Sequence, residues 1–181
     1  IWRNGGVARN FGADQVFKFY TNPRPGGERA RIERGNPSAE GLPGSDEDRA
    51  TSAFEFLEAY GRERFFLYVH LMDLHQYVYD DKAQRFGTSY SDVYDQSLNW
   101  TDRVIGAVVD KLAEVGALDR TVVVVASDHG EAFLEHGFEG HARNLYGEVT
   151  HVPLVIGLPF LLPHGIRVDA QASYVDMWPT V

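Results

Sequence analysis

Apolar residues recur at helical spacing in two stretches of the chain. The first begins after Ser45 or Asp46, either of which can act as the N-cap, and Gly61 is its predicted stop. Its apolar positions are Ala50, Phe54, Leu57 and Ala59. The second stretch, residues 91–115, predicts the longest helix and is followed by a glycine in a C-cap position. Its apolar positions are Val93, Leu98, Ile105, Val109 and Leu112.

Other apolar runs predict β-strands. Residues 65–72 are apolar on both parities, which is typical of a strand buried on both faces of a parallel sheet. Residues 121–126 form a β-branched run, the clearest strand signal in the chain. With the long helix between them, the two runs predict a right-handed βαβ unit. Residues 152–156 predict a further short strand, in which Pro153 favours an edge position or the first residues.

The remaining segments complete an α/β pattern. Residues 21–47 are rich in proline, glycine, arginine and glutamate, which is typical of a loop. Residues 173–181 predict the start of another helix. The alternation of strand and helix signals therefore favours an α/β fold with a mostly parallel sheet.

Composition and charge exclude several classes of partner and site for this chain. The chain has 181 residues, 44% of them hydrophobic, which is enough for one globular domain with a buried core. Its 26 acidic and 17 basic residues give a formal net charge of −9, which argues against a nucleic-acid partner because phosphate binding requires a concentrated basic surface. The absence of cysteine excludes disulfides, thiolate metal sites and a cysteine nucleophile in this chain. No apolar run reaches the ~18 residues of a membrane span.

Ionisable side chains follow both strands of the predicted βαβ unit. Asp128 and His129 lie just after the β-branched run, and Asp73 and His75 lie just after the earlier apolar run. Because ligands of open α/β sheets bind beyond the carboxyl ends of the strands, we expect both sets at one rim. A carboxylate and a neutral imidazole suit a divalent cation, whereas a turn with a capping aspartate is the alternative for Asp-His-Gly. Asp73 either orients His75 or binds solvent.

Histidines are concentrated downstream of the Asp-His pair. His136, His141 and His151 join His129 within 23 residues, although the whole chain has only seven histidines. This concentration favours a site over an ordinary turn. Directly after the pair, Gly130 lets the backbone bend away, and Glu131 can hold the His129 ring or start a helix.

The other histidines have less direct predicted roles. His70 lies inside a predicted strand and is expected to be packed. His136 is expected to be structural or supporting, and His151 to lie on the surface or rim. Glu148 is expected to orient His141 or to brace the rim.

The ordered set of motifs resembles the sulfatase family of the alkaline phosphatase superfamily. The matching segments are SDHGE at 127–131, EHG at 135–137, GH at 140–141, LYGEVTHVPLVI at 145–156, FFLYVH at 65–70, MDLH at 72–75 and SYVDMWPT at 173–180. The resemblance runs in order from about residue 54 to the end of the chain. It implies a three-layer α/β/α sandwich of the alkaline-phosphatase-like type with a mostly parallel sheet, present here only in part.

The resemblance also implies a role for each matching residue. Asp128 and His129 match two metal ligands of the family site, although many sulfatases have Asn at the second position and His there resembles the phosphonate monoester hydrolase branch and a number of bacterial sulfatases. The implied cofactor is a divalent cation, with Ca²⁺ favoured over Mn²⁺ or Mg²⁺. His75 matches the histidine that contacts the transferring group or the leaving oxygen. His141 falls where the family places a Lys or His that binds the charged ester.

The nucleophile motif of the family is absent from this sequence. Sulfatases use a formylglycine made from Cys or Ser in Cys/Ser-x-Pro-x-Arg, and relatives use Thr or Ser. The nearest string, Thr21-Asn22-Pro23-Arg24, has the wrong arrangement. We therefore expect residues 1–181 to be a fragment of a single sulfatase-like catalytic domain, inactive alone, whose nucleophile and remaining metal ligands lie in a missing N-terminal part.

The full-length protein is thus predicted to be a sulfuric ester hydrolase acting on a small-molecule or glycan sulfate ester. A phosphodiesterase, phosphonate monoester hydrolase or phosphoglycerol/phosphoethanolamine transferase on the same fold is the alternative, which the Asp-His pair slightly favours. A non-catalytic domain that kept the fold is the second alternative. The resemblance favours a periplasmic or extracellular location, and the sequence leaves the oligomeric state open.

Overall fold

The computed structural model describes residues 45–79, 85–141, 143–162 and 165–181. The chain divides into two units, the first ending at Gly116 and the second beginning at Ala117. The predictions made for residues 1–44, including the proline-rich loop up to the first helix, lie outside the described residues.

Two capped helices make up most of the described part of the first unit. Helix α1 spans Asp46–Tyr60 and helix α2 spans Tyr90–Glu114. Ser45 caps α1 and Ser89 caps α2, each in a capping box with the aspartate three residues later. Both predicted helices are confirmed, and α2 begins one residue earlier than predicted because Ser89 fixes its first turn. Gly116 follows α2 with φ +68°, the left-handed conformation expected of a glycine at a helix end.

The two helices pack on each other through a small apolar core. Ala50 of α1 meets Trp100 and Val104 of α2, and all three are buried. The residues packed around them are Phe54, Leu71, Tyr79 and Val108. Four-residue spacing places the contributing positions of each helix on one face. None of the described helices is long and apolar enough to cross a bilayer.

Two buried aspartates connect α1, α2 and the segment between them. The amides of Met72 and Asp73 each donate to the Asp46 carboxylate at 2.8 Å. The Asp73 carboxylate accepts from the Asp46 amide at 3.1 Å and from Trp100 Nε1 at 2.9 Å. Burial, reinforced by the neighbouring Asp73 charge, raises the pKa of Asp46 to about 7, while backbone hydrogen bonds and the buried Arg49 oppose this rise.

The second unit is built from short elements. In chain order they are a 3₁₀ turn at Leu118–Arg120, β1 at Val123–Ala126, β2 at Ala132–Phe133, β3 at Glu139–Gly140, α3 at Gly147–Thr150, β4 at Leu154–Gly157, a 3₁₀ turn at Tyr174–Asp176 and α4 at Met177–Thr180. Strand β1 pairs antiparallel with β4, and Val124 lies opposite Ile156. Strand β2 pairs antiparallel with β3. The strands predicted near 121–126 and 152–156 and the helix near the end of the chain are confirmed.

The predicted parallel pairing is not found among the described residues. Both described strand pairs are antiparallel, and residues 65–72 carry no strand, so the predicted βαβ unit is wrong for this part of the chain. Phe66 is 60% exposed, which also departs from a strand covered on both faces. An apolar run indicates which side chains favour burial, but a strand also requires a backbone ladder whose partner the run does not specify. The described part contains α and β elements, and the complete three-layer sandwich stays a prediction.

Replacing Asp46 with asparagine should remove a pH dependence of stability. Folded Asp46 keeps its proton up to about pH 7, whereas an unfolded aspartate loses its proton near pH 4. Because the folded state binds the extra proton in this window, the free energy of unfolding should fall as the pH rises from about 4 to about 7 and then level off. Chemical denaturation at a series of pH values should show a flatter profile for Asp46→Asn. Asp102→Asn, at an exposed position of α2, is the matched control and should keep the parent slope.

Candidate functional site

The loop after β1 carries the predicted metal-binding pair. Ser127 Oγ donates to the carbonyl of His129 at 2.7 Å, and Asp128 Oδ1 accepts from the His129 amide at 3.2 Å. The amide of Gly130 donates to the carbonyl of Val149 at 2.8 Å. These bonds fold the loop on itself and join it to α3.

A close backbone approach explains the glycine in this loop. A Cβ on Gly130 would collide with the carbonyl oxygen of Glu148 and lie 3.3 Å from Val149 Cα. Gly130 is not among the described residues with positive φ, so space rather than an unusual backbone conformation requires glycine here. The expectation that this glycine lets the backbone bend away is therefore replaced by a requirement for space.

The His129 ring is oriented by its own loop. Its Nδ1 atom lies 2.8 Å from the carbonyl oxygen of Gly130, which can only accept, so Nδ1 carries the proton and Nε2 carries the lone pair. Nε2 lies 3.8 Å from Asp128 Oδ1. Two atoms that each bind one cation at about 2.1–2.5 Å are separated by about 3–4 Å at common coordination angles. The tautomer and the spacing therefore both fit a shared divalent cation.

The β2–β3 hairpin brings a carboxylate to His141. In this hairpin Ala132 lies opposite Gly140, so Glu131 and His141 are the next facing positions. His141 Nδ1 lies 3.1 Å from Glu131 Oε1, and the glutamate side chain is only 6% exposed. A carboxylate at Nδ1 fixes the orientation of the His141 ring. The expectation that Glu131 holds the His129 ring or starts a helix is wrong, because Glu131 contacts His141 and the His129 ring contacts the Gly130 carbonyl.

Three of the four predicted site residues meet within the second unit. The rings of His129 and His141 stack with their centroids 3.9 Å apart and their planes 24° apart. Both rings line a cavity of about 380 Å³ together with Asp128. The remaining lining residues are Asn144, Leu145, Val149, Thr150, Val152 and Tyr174. An ionisable end thus adjoins a largely apolar wall, as is common in sites for small organic ligands.

Tyr174 is a cavity residue that was not predicted from the sequence. Burial, with a smaller contribution from the Asp128 charge, raises the pKa of its phenol. The group therefore stays protonated at neutral pH and can donate a hydrogen bond. The sequence offered a signal, because Tyr174 lies in the SYVDMWPT segment, but that segment predicted only a helix start.

A second histidine–acid pair lies at the tip of the hairpin. His136 Nδ1 lies 2.7 Å from Glu148 Oε1, and its ring stacks on Tyr146 with centroids 3.8 Å apart. The backbone amide of Glu148 and then His136 hold the pKa of the Glu148 carboxyl below its usual value. Glu148 therefore braces the hairpin against α3. The expectation that it orients His141 is wrong, because the hairpin register gives that place to Glu131.

His75 lies in the first unit, on the turn that follows residues 65–72. The backbone amides of Gln76 and Val78 both donate to the carbonyl of Asp73, at 3.1 and 2.9 Å. Asp73 is fully buried, so the expectation that it binds solvent is wrong. That His75 shares a rim with Asp128 stays a prediction.

Comparisons with known proteins agree on one family. The sulfatase family model matches residues 1–181. Arylsulfatase K of Xenopus laevis is 36% identical over 80 residues, that of Bos taurus 35% over 81 and that of Danio rerio 37% over 81. The alignments cover 44% or 45% of this chain but only 15% of each relative. No solved structure matches the chain with significance.

Replacing Gly130 with alanine should destabilise the second unit. The new Cβ overlaps a backbone carbonyl that a side-chain rotation cannot remove, so we expect a loss of about 1–3 kcal/mol in the free energy of unfolding. Gly147→Ala is the matched control, because a Cβ there meets no atom within 4 Å. Thermal denaturation of both variants measures the difference. Equal melting temperatures for the two variants would contradict the close approach.

Proposed function

The chain belongs to the sulfatase family, and from this premise we propose that the protein it forms part of hydrolyses sulfate esters with a bound divalent cation. The observation that carries the proposal is the meeting of Asp128, His129 and His141 at one cavity, with each imidazole fixed through its Nδ1 atom. The chain covers only 15% of the arylsulfatase K relatives. The activity is therefore proposed for the full-length protein, and the nucleophile is proposed to lie outside these residues.

Asp128 and His129 are the proposed ligands of the cation. Their facing atoms are 3.8 Å apart, and the His129 tautomer leaves Nε2 unprotonated. The Asp128 side chain is 80% exposed, so further ligands of the cation from the rest of the protein can approach it. We favour Ca²⁺ over Mn²⁺ or Mg²⁺, on the family resemblance. A cation bound there would supply charge stabilisation for the non-bridging oxygens of the ester.

His141 is the proposed binding residue for the charged ester. Glu131 engages its Nδ1 atom, so Nε2 is the atom through which it meets a sulfuryl oxygen. The buried glutamate holds the ring in place, and a hydrogen bond from the ring would stabilise the oxygen charge that develops as the ester bond breaks. Tyr174 adds a hydrogen-bond donor to the same cavity.

His75 is the proposed proton donor to the leaving oxygen. This role comes from the family resemblance of the MDLH segment, in which His75 matches a histidine at the leaving group. Proton donation matters most when the leaving alcohol or phenol is strongly basic. An aryl or glycan sulfate is the proposed substrate class, and the apolar wall of Leu145, Val152 and Tyr174 suits a leaving group with an apolar face. A periplasmic or extracellular location completes the proposal.

Loss of the ligand pair should abolish turnover. We expect Asp128→Ala and His129→Ala to lower kcat for 4-nitrophenyl sulfate by at least ~100-fold in the full-length protein, because the charge stabilisation is lost. Chelation should have the same effect and added Ca²⁺ should reverse it. His151→Ala is the control, since His151 is exposed and does not line the cavity. Unchanged turnover in both variants, or faster turnover of 4-nitrophenyl phosphate than of the sulfate, would refute the proposal.

Glu131→Gln should weaken the hydrogen bond that orients His141 without removing a reacting group. The amide can still hydrogen-bond Nδ1, but this neutral hydrogen bond is weaker than one to a carboxylate and holds the ring less firmly, so we expect kcat to fall by about 10–100-fold. Glu139→Gln is the matched control, because Glu139 lies exposed on β3 of the same hairpin. Steady-state kinetics with the melting temperature measured in parallel separates this effect from unfolding.

A further inference from the structure

We propose that Asp46 and Asp73 are positioning residues for His75, and that they act by fixing the turn that carries it. The inference rests on the proposed function, in which His75 donates a proton to the leaving oxygen. Neither of these buried acids takes part in the proposed binding of the metal or of the ester. The inference gives both of them a role.

The turn is closed on the backbone of Asp73. The Asp73 carbonyl accepts from the amide of Gln76 at 3.1 Å and from that of Val78 at 2.9 Å. The amide of Tyr77 adds a hydrogen bond to the carbonyl of Leu74 at 3.1 Å. His75 therefore lies inside a short loop whose two ends meet at one residue. Moving Asp73 would move His75 with it.

The side chain of Asp73 is in turn fixed from two helices. Its Oδ2 atom accepts from the amide of Asp46 at the start of α1 and from Trp100 Nε1 in α2. Asp46 returns the contact, because its carboxylate accepts from the amides of Met72 and Asp73. The two aspartates therefore form a reciprocal clamp between the start of α1 and the start of the turn.

The far side of the turn is also fixed to α2. Tyr77 takes φ +54°, an uncommon conformation for a residue with a side chain. Its ring packs against Tyr90 at 4.8 Å and against Tyr94 at 5.8 Å between centroids. Val78, next in the chain, is buried. His75 is thus held between two anchors, each two residues away.

The energetics favour a role beyond packing. Two fully buried carboxyl groups lose hydration, and apolar side chains of similar size would fill the same space at a lower solvation cost. Carboxylates instead accept several directed hydrogen bonds, which fix a backbone more sharply than apolar contacts do. A proton donor requires such placement, because small displacements from the productive geometry lower the rate strongly.

Leaving-group dependence distinguishes positioning from simple stability. A displaced proton donor slows esters of weakly acidic phenols and has little effect on esters of acidic phenols, which leave without help. A loss of folded protein slows both by the same factor. The experiment therefore compares kcat for phenyl sulfate and 4-nitrophenyl sulfate in the full-length protein.

Trp100→Phe is the first test of the clamp, because it keeps an aromatic ring in the core and removes the Nε1–H donor together with part of the ring volume. We expect kcat for phenyl sulfate to fall by about tenfold, with little change for 4-nitrophenyl sulfate and little change in KM. Asp46→Ala should show a larger effect of the same kind. Asp46→Asn keeps an acceptor for the turn amides and should restore most of the lost activity.

Two controls make the outcome decisive. Phe54→Leu perturbs the same core without touching the clamp, so it should lower the melting temperature and leave the leaving-group dependence unchanged. Trp100→Phe should also cause no further loss when it is added to His75→Ala, because both act through one side chain. Equal losses on both esters in Trp100→Phe, or additive losses with His75→Ala, would overturn the inference.

Failure of the proposed function has a separate signature. If His75→Ala shows no leaving-group dependence, then His75 is not the proton donor and both this role and the clamp inference are wrong. If His75→Ala shows the dependence and neither Trp100→Phe nor Asp46→Ala does, only the clamp inference is wrong.

Discussion

The contact between Glu131 and His141 is the interaction on which the described site depends. These residues are ten apart in sequence, and they face each other only because Ala132 pairs with Gly140 in the hairpin. A shift of one residue in that register would turn the glutamate to the opposite face. The same hairpin stacks His141 on His129 and so joins the proposed ester-binding residue to the proposed metal ligands.

Both imidazoles at the cavity use the same device. Each ring has its Nδ1 atom engaged by an oxygen, a backbone carbonyl for His129 and a carboxylate for His141. Each ring therefore presents Nε2, and the different partners suit different roles. His129, held by a backbone carbonyl, is a proposed ligand of the cation, whereas His141, held by the Glu131 carboxylate, is the proposed ester-binding residue.

Buried acids organise the first unit in a different way. The side chains of Asp46 and Asp73 each accept a hydrogen bond from the other residue's backbone amide, which links the start of α1 to the turn. Apolar side chains at these two positions could instead have extended the core of α1 and α2. Burial and repulsion by Asp73 raise the pKa of Asp46, so the stability of this arrangement depends on the protonation of Asp46. The shared theme of the two units is a carboxylate that fixes a histidine, directly in one and through a turn in the other.

The sequence by itself determined both long helices, the strand at Val123–Ala126 and the position of Asp128 and His129 directly after that strand, because capping residues, apolar periodicity and neighbouring residues are local properties. The motif order also pointed to His141, which lines the same cavity. The tertiary structure alone decided that β1 pairs antiparallel with β4, that Glu131 rather than Glu148 holds His141, and that Tyr174 joins the cavity. These features depend on which distant backbone and side-chain groups meet, and hydrophobic pattern and spacing along the chain do not specify such pairings.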